Sequence, residues 1–541
     1  APDNPLIFMN GPLTDTIMTS GRFQIISRSP LTGTICSSSS GGVFGAALKK
    51  AGFDGVIITG RAAEPVYLFI ENGNFELKSA DRLWGENCPA TRKKLQQEHG
   101  NVSVASIGPA GENLVLYAAV MNDRDRAAGR GGLGAVMGAK NLKALAVKGK
   151  GEVELHDREG LNAIQPLLDR LVDKNPITGK ALQLLGTAVL VDIINDHGML
   201  ATRNFRRGQF NDVDGINGDK IHELILRGKS ACYKCPIACG RSTATARHQG
   251  EGPEFETIWA FGPQLGINDL PAITEANYLC NELGLDTIST GNTIGCGMEL
   301  VEEGIFTAPL KWGNAANLAQ VVENIAYRRN YGDDLALGSK RLAEKYQRPQ
   351  IAMQVKGMEL PAYDPRGAQG QALAYATSNR GGCHIYAYMI GPEILGQPVK
   401  VDRFKTSGKA ELTVLMQDIS ALVDSLILCR FLQFSFGIGT FRKLLNLVTG
   451  SRLDDDDLLK IGKRIYTLER IYNIRAGFTS RDDMLPERFL TETLPEGPSR
   501  NRTVDLKTML QRYYQVRGWD SEGIPLASTL TELGIKESCW K

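Results

Sequence analysis

A surplus of either charge is the first thing this sequence lacks: 62 Lys and Arg stand against 60 Asp and Glu, leaving +2 over 541 residues. No broad field results, so a nucleic-acid or membrane-surface partner recruited by net charge is not expected. Long apolar runs are scarce too. The richest, Leu412 to Gly439, is cut by Asp418, Asp424 and Arg430, and no membrane span is expected. No secretory leader pattern opens the chain. It starts almost inside a strand, so the sequence is expected to be truncated at its start or complemented by a separate piece. Internal repeats are absent, and no Gly-Lys-Ser/Thr follows a glycine-rich loop, which excludes a nucleotide P-loop. The ten cysteines are mostly single, which speaks against a disulfide framework and for a reducing, cytoplasmic compartment.

What is present divides by period. Short apolar runs at Leu6 to Met9, Phe23 to Ile26 and Gly55 to Thr59 read as strands. Val66 to Ile70 and Phe75 to Lys78, joined across Asn72-Gly73, read as a hairpin. From Asp157 the apolar spacing becomes helical: Leu161, Ile164, Leu168 and Val172, then Leu182 through Ile194. Further helices are predicted at Ala272 to Leu283, Ala316 to Arg328, Leu335 to Tyr346, Glu411 to Leu428 and Asp456 to Ile474. The fold class is therefore α+β. The boundaries expected are a β-rich base over 1–154 and two mostly helical domains, 155–355 and 356–541, with the break near Pro361 and Pro365.

One stretch carries unusual chemistry. Cys232, Cys235 and Cys239 form a C-x2-C-x3-C loop, followed closely by Pro236 and Gly240. The spacing suits an iron-sulfur cluster lacking a fourth ligand; three zinc ligands or three buried thiols remain open on spacing alone. Two loops, "SSSSGG" at 37–42 and "NDRDRAAGRGGLG" at 122–134, expose backbone amides and carry Arg124, Arg126 and Arg130. Arginine forks bind phosphate oxygens, so a phosphate-bearing cofactor is one reading and solvated glycine turns the other. Two related patterns follow, Asn281-Glu-Leu-Gly-Leu-Asp286 and Asp424-Ser-Leu-Ile-Leu-Cys429. The second supplies a candidate fourth thiolate, Cys429.

With these motifs in order, the chain resembles the tungsten-containing aldehyde ferredoxin oxidoreductase family across nearly its whole length. The matching stretches include "GPLTDTIMTSGRF" from Gly11, "SPLTGTI" from Ser29, "ASIGPAGENL" from Ala105, the arginine loop, the cysteine loop and "GPEFET" from Gly252. The resemblance implies a tungsten bis-pterin (tungstopterin), one 4Fe-4S cluster and magnesium, buried between the β-rich base and the two helical domains. It implies Cys232, Cys235, Cys239 and Cys429 as cluster ligands. Phosphate contacts fall on Arg22, Ser39, Gly41, Arg126, Ala127, Gly129 and Arg130, with the carbonyls of Ser39 and Ala127 on magnesium. Asn281, Leu285 and Asp286 meet one pterin and Asp424 and Leu428 the other; Arg380, Gly381, Gly382 and Cys383 complete the cofactor set. This chain departs from the family at Asn281 (usually aspartate), Ile427 (usually glycine), Ser39 (asparagine) and Phe255 (tyrosine). Tyr278 stands where some members have the histidine of an iron site at a dimer contact, so that iron is not expected and an oligomer stays open.

The implied reaction is oxidation of an aldehyde to a carboxylic acid with water as oxygen source. Glu256 would act on water and His384 on the aldehyde oxygen, with Glu254 as rival base. Trp259, Phe255, Tyr386 and Tyr388 face either substrate or core. Electrons would pass to ferredoxin or a ferredoxin-like subunit, with an NAD-linked flavin subunit as a further partner. The rival readings are an acid or acyl-CoA ring reductase on the same scaffold, and a non-catalytic iron-sulfur or zinc scaffold.

Overall fold

The computed structural model describes residues 2–536 and Ser538. Two sheets form the base. The first is antiparallel, ordered Ile35–Ser40, Phe23–Arg28, Leu6–Met9, Gly55–Ile58. The second runs Asn74–Ser79, Val66–Glu71, Leu142–Lys148, Ser103–Ser106, Val120–Asn122, Arg126–Ala128. The predicted hairpin is present in register Val66↔Ser79, and both turn residues, Asn72 at φ 47° and Gly73 at φ 86°, are left-handed. A type I′ turn demands that geometry, which is why Asn-Gly announces it. Phe8, Phe23, Phe44, Leu133 and Leu145 fill the core between sheets and the helices Phe44–Lys50 and Leu133–Ala139.

This base brings two edges together. Ile35–Ser40 and Arg126–Ala128 each end a sheet, and Arg130 N donates to Ser38 Oγ at 3.3 Å. The two small-residue loops therefore lie side by side.

Above it the chain is mainly helical, and the predicted helices at Leu270–Leu283, Leu318–Ala326, Lys409–Ser425 and Asp455–Arg475 form. Aspartates cap two of them: Asp269 accepts from Ala272 N, and Asp454 forms a capping box with Asp457. Three sequence expectations need correction. Leu182 through Ile194 is not one helix, because Gly186 at φ 63° breaks it into Leu182–Leu185, a 3₁₀ turn and Leu190–Asp196. Leu335 to Tyr346 is split by Gly338 at φ 83°, so the helix is Ser339–Lys345. The third concerns apolar runs: Ile177–Asp196 is long and apolar enough to cross a membrane by length and composition. Here it is folded in short pieces that insert Leu182, Ala188, Val191 and Ile194 into the protein's cores. The helix Thr287–Glu302 lacked a sequence signature because it is buried nearly all round, so no polar face marks its period.

A buried ion cluster ties the helical parts. Arg488 donates to Glu299 at 2.6 Å and to Asn204 O at 2.7 Å, and Asn204 Nδ2 donates to Glu299 at 2.6 Å. Burial raises the Glu299 pKa, but the hydrogen bonds and charge of Arg488 bring it below the ordinary carboxylate value. Arg488→Met strands Glu299 with the half-buried Arg206, at a cost of about 3–5 kcal/mol. A lowered midpoint in thermal or chemical unfolding is the expected reading; an unchanged midpoint would show that the cluster carries no net stability.

Candidate functional site

The three-cysteine loop is the connection of a hairpin. Strands Leu226–Ser230 and Gly240–Ala244 pair antiparallel, with Ser230 opposite Gly240. Between them Lys234 (φ 49°) and Ala238 (φ 45°) turn left-handed, and Cys235 N donates to Cys232 O at 3.1 Å. Arg241 pins the turn through Ala238 O at 3.2 Å, Gly240 O at 2.8 Å and Leu182 O. Tyr233 OH donates to Asp15 at 2.6 Å and Thr19 N to Lys234 O at 3.1 Å, docking the loop on the base.

Cys429 arrives from the end of the helix Lys409–Ser425. Ile427 there adopts φ 59°, the left-handed conformation for which glycine is the usual solution and β-branched residues are outliers. Ile427 holds this conformation with a buried side chain, 3% exposed, against Gly11. A Cβ on Gly11 would meet Ile427 Cγ1 at 2.5 Å, so the small residue opposite makes room. The turn delivers Cys429 to the wall of the cavity that Cys232, Cys235 and Cys239 also line.

That cavity, about 340 Å³, also gathers Arg22, Ser39, Gly41, Arg126, Ala127, Gly129, Asn281, Leu285, Asp286 and Glu256. Gly41 is required sterically, since a Cβ there would meet Cys232 Sγ at 2.7 Å. Arg22 Nε donates to Ser39 Oγ at 3.0 Å, and Arg126 pairs with Glu251. Burial pushes the Cys235 thiol up to about 11 and raises Cys239 and Cys429; Arg126 and Arg22 oppose the rise at Cys429, and Arg126 also at Cys239. The loop is surface-near: Lys234 and Pro236 are exposed.

The other sequence candidates stand elsewhere. Arg130 is turned away into the protein, donating to Gly382 O at 2.8 Å, Glu359 O at 2.6 Å and Asp286 at 3.3 Å. Asp286 caps the helix Thr287–Glu302 through Ile288 N. Arg380, Gly381, Gly382 and Cys383 form a layer behind the cavity rather than its wall: Arg380 donates to Ser37 O at 2.6 Å and to Cys383 Sγ at 2.9 Å. Leu428 is core, 1% exposed. Asp424 lines a separate cavity and is held by Arg430, whose Nε donates to it at 2.9 Å. Tyr278 OH shares a hydrogen bond with Thr243 Oγ1 at 2.7 Å, and Glu275 is engaged by Thr245 and His248.

Glu256 lies in the first turn of the helix Phe255–Phe261 but caps nothing; its Oε2 accepts from Ala362 N at 3.0 Å. Its Oε1 is 3.8 Å from His384 Nε2. Neither Glu256 Oε1 nor His384 Nδ1 has a hydrogen-bond partner among the described residues. Burial pushes Glu256 up to about 8, while burial and the charges of Arg130, Arg380 and Arg430 hold His384 well below its ordinary value. At neutral pH both groups are therefore mostly uncharged, and the contact is not an ion pair. Glu254, the rival, is engaged by Thr187 Oγ1.

A second cavity, about 330 Å³, adjoins the first, and the two share Glu256, Glu254, Arg22 and Cys429. Its walls are Phe255, Tyr363, Tyr388, Phe431 and Phe434, with His384. This settles the aromatic candidates. Phe255 and Tyr388 face the cavity, Tyr386 lies in the Asp424 cavity, and Trp259 is core, its Nε1 donating to Ala201 O at 2.6 Å. Tyr363 and Phe434 were invisible in the sequence, because no motif marks a wall assembled from four separate segments.

Half-buried thiols on a glycine- and arginine-lined cavity, with an uncharged acid–imidazole contact where it meets the aromatic one, suit a redox enzyme that holds a large anionic cofactor. The comparisons agree. The family model for the aldehyde ferredoxin oxidoreductase N-terminal domain matches residues 1–149, and that for its domains 2 and 3 matches residues 165–535. The tungsten-containing aldehyde ferredoxin oxidoreductase of Pyrococcus furiosus is 48% identical over 99% of this chain and 91% of its own length; that of Thermococcus kodakarensis is 47% identical with the same coverage. A more distant relative, the WOR-like subunit of the Pyrococcus furiosus aliphatic sulfonate oxidoreductase, is 31% identical over 99% of this chain and 89% of its own. Among solved structures, the active-site complex BamBC of benzoyl coenzyme A reductase superposes with TM-score 0.83 at 24% identity, covering 99% of this chain and 89% of that one; at that identity it speaks for the fold alone. The chain belongs to the aldehyde ferredoxin oxidoreductase family.

Ile427 offers a local test. Glycine would relieve about 1–2 kcal/mol of left-handed strain but remove a whole buried side chain worth about 3–5 kcal/mol. Ile427→Gly is expected to lower stability by about 1–4 kcal/mol, measured by denaturant unfolding. A stabilised variant would mean that strain outweighs packing there.

Proposed function

We propose that this chain oxidises aldehydes to carboxylic acids with water as the oxygen source, using a tungstopterin and a 4Fe-4S cluster. The observation that carries the reading is the Glu256–His384 contact at 3.8 Å, where the cysteine-lined cavity meets the aromatic one. The residues fit the cofactors. Four thiols line the cavity, the number that a 4Fe-4S cluster takes. Cys232, Cys235, Cys239 and Cys429 would hold the cluster. Arg22, Gly41, Arg126 and Gly129 would meet the phosphates, with Ser39 and Ala127 carbonyls on magnesium. Asn281, Leu285 and Asp286 would hold one pterin and Asp424 would border the other. Arg130 and the Arg380–Cys383 layer would support them from behind, and Leu428 would act through packing alone.

When bound, the tungstopterin supplies a two-electron acceptor and the cluster a one-electron outlet. Oxidation of RCHO with H₂O yields RCOOH, two protons and two electrons. Glu256, in its carboxylate form, takes a proton from water or the hydrated aldehyde. His384, neutral and unpaired at Nδ1, donates a hydrogen bond to the aldehyde oxygen and stabilises the charge that develops there. Phe255, Tyr363, Tyr388 and Phe434 hold the apolar part of the substrate and exclude bulk water. Uncharged aldehydes with aromatic or alkyl groups suit that wall.

Electrons leave, in this reading, at the surface-near cysteine loop to ferredoxin or a ferredoxin-like subunit, with an NAD-linked flavin subunit as a further carrier. The thiols, unbridged among the described residues, support a cytoplasmic setting. Copurification and hydrodynamic size decide subunits and oligomer. The acid-reductase and acyl-CoA-reductase alternatives are separated by assaying both directions; the scaffold alternative by turnover itself.

Three measurements test the reading. Native protein should carry about one tungsten and roughly four iron atoms per chain, whereas zinc without tungsten would sink it. Cys429→Ser should lower iron content and erase the cluster's low-temperature EPR signal, and full iron content would remove Cys429 from the ligand set. The base form of Glu256 is the deprotonated one, so kcat/KM should rise with pH through about 8 and then level. Glu256→Gln should abolish that limb and slow turnover by about 10²–10⁴-fold; unchanged turnover at full metal content would rule out the role.

A further inference from the structure

Glu359 is a buried carboxyl that lines none of the cavities described above. It ends the short strand Met358–Glu359 and is fully buried. Its Oε1 accepts from Ser339 N at 2.8 Å and from Ser339 Oγ at 3.0 Å, at the start of the helix Ser339–Lys345. Its Oε2 meets Ser289 Oγ at 2.7 Å. The same hydroxyl lies 2.7 Å from Oδ2 of Asp286, on the wall of the large cavity. A serine hydroxyl carries one proton and donates it to one oxygen only. Two contacts of that length to two carboxyls therefore need a second proton, held by one of the carboxyls.

The surroundings decide which one. Asp286 Oδ2 also accepts from Arg130 Nε at 3.3 Å, and its Oδ1 accepts from Ile288 N at 3.1 Å. A guanidinium and a helix start both favour its ionised form. Arg130 treats Glu359 differently: its Nη2 donates at 2.6 Å to the backbone carbonyl, and the carboxyl meets only the two serines. Burial raises Glu359 above the ordinary carboxylate range, with the hydrogen bonds of Ser289 and Ser339 and the charge of Arg130 opposing only in part. The other ionisable groups around it are Tyr117 and Cys296, and burial holds both above their ordinary values, so neither brings charge. A buried carboxyl without a cation keeps its proton.

We propose that Glu359 is a positioning residue that is a neutral acid at neutral pH: its Oε2–H donates to Ser289, which commits the Ser289 proton to Asp286 and holds that carboxylate as a charged acceptor on the cavity wall. The proposal rests on the tungstopterin reading above, in which Asp286 meets a pterin, and adds to it two residues that no motif marks. No redox or covalent step is assigned to Glu359. As pH rises past the raised value of Glu359 the acid ionises, two carboxylates compete for one hydroxyl, and Asp286 loses its fixed partner.

Two measurements test it. Infrared difference spectra of the parent chain against Glu359→Gln, taken across pH, report the carbonyl stretch of a protonated carboxyl. The band is expected at neutral pH and should fade on alkaline titration; its absence at neutral pH means an ionised Glu359 and overturns the proposal. Tungsten content, with iron in parallel, gives the second readout. Glutamine still accepts from Ser339, keeps a donor toward Ser289 and cannot ionise. Glu359→Gln should therefore hold parent-level tungsten at neutral pH and retain it through an alkaline incubation in which the parent loses at least threefold. Ser289→Ala should lose tungsten at least threefold at unchanged iron, and Ser289→Thr, which restores the hydroxyl, should recover it. A merely capping role predicts full tungsten in Ser289→Ala and one alkaline profile shared by the parent and Glu359→Gln, and either result overturns the proposal. If the parent chain itself carries no tungsten, the tungstopterin reading fails, while the infrared band, measurable without cofactor, still decides where the proton lies.

Discussion

The convergence of four thiols from two distant stretches is the constraint on which the rest of this structure depends. Three come from one nine-residue hairpin connection and need only local turns. The fourth must be carried by a long helix and turned back at its end, and Ile427 does this in a backbone conformation that costs an isoleucine energy. The expense is met by packing, since Gly11 leaves space for the side chain. Arg22 and Arg126 oppose, only in part, the burial that raises the Cys429 thiol.

Around that cage the protein divides its labour by type of backbone. Sheet edges present small residues and carbonyls to one side of the large cavity. Helix beginnings present polar groups on the other, Glu256 in a first turn and Asp286 at a cap, while Asp424, in a last turn, faces the separate cavity. Rigid elements thus aim each group, and the loops that join them close over the space. The buried ion cluster at Glu299 and Arg488 fixes the helical parts far from the chemistry.

The acid and the imidazole are both pushed toward neutrality by the same burial that builds the aromatic cavity. An ordinary carboxylate–imidazolium pair would be poorly suited to exchanging protons near neutral pH, because each partner would stabilise the other's charge. Here desolvation separates them from that outcome, leaving one poised acid–base group and one neutral donor. Phe255 gives the cavity wall no hydroxyl, while the Tyr363–Tyr388 contact at 3.2 Å keeps phenols within it.

Local chemistry is what the sequence by itself determined: the Asn-Gly hairpin, the capped helices, the cysteine spacing and the arginine-glycine loop, because each follows from turn geometry or periodicity within a dozen residues. The ordered motifs also carried the family resemblance, and with it Cys429, Glu256 and His384. Only the tertiary structure decided which groups face one another. It broke the runs at Gly186 and Gly338, turned Arg130 inward, buried Leu428, sent Trp259 to the core and Phe255 to the cavity. It also revealed Tyr363 and Phe434, whose places come from a wall shared by remote segments. Such walls leave no spacing in the chain, since burial and pairing are properties of neighbours in space and not of neighbours in sequence.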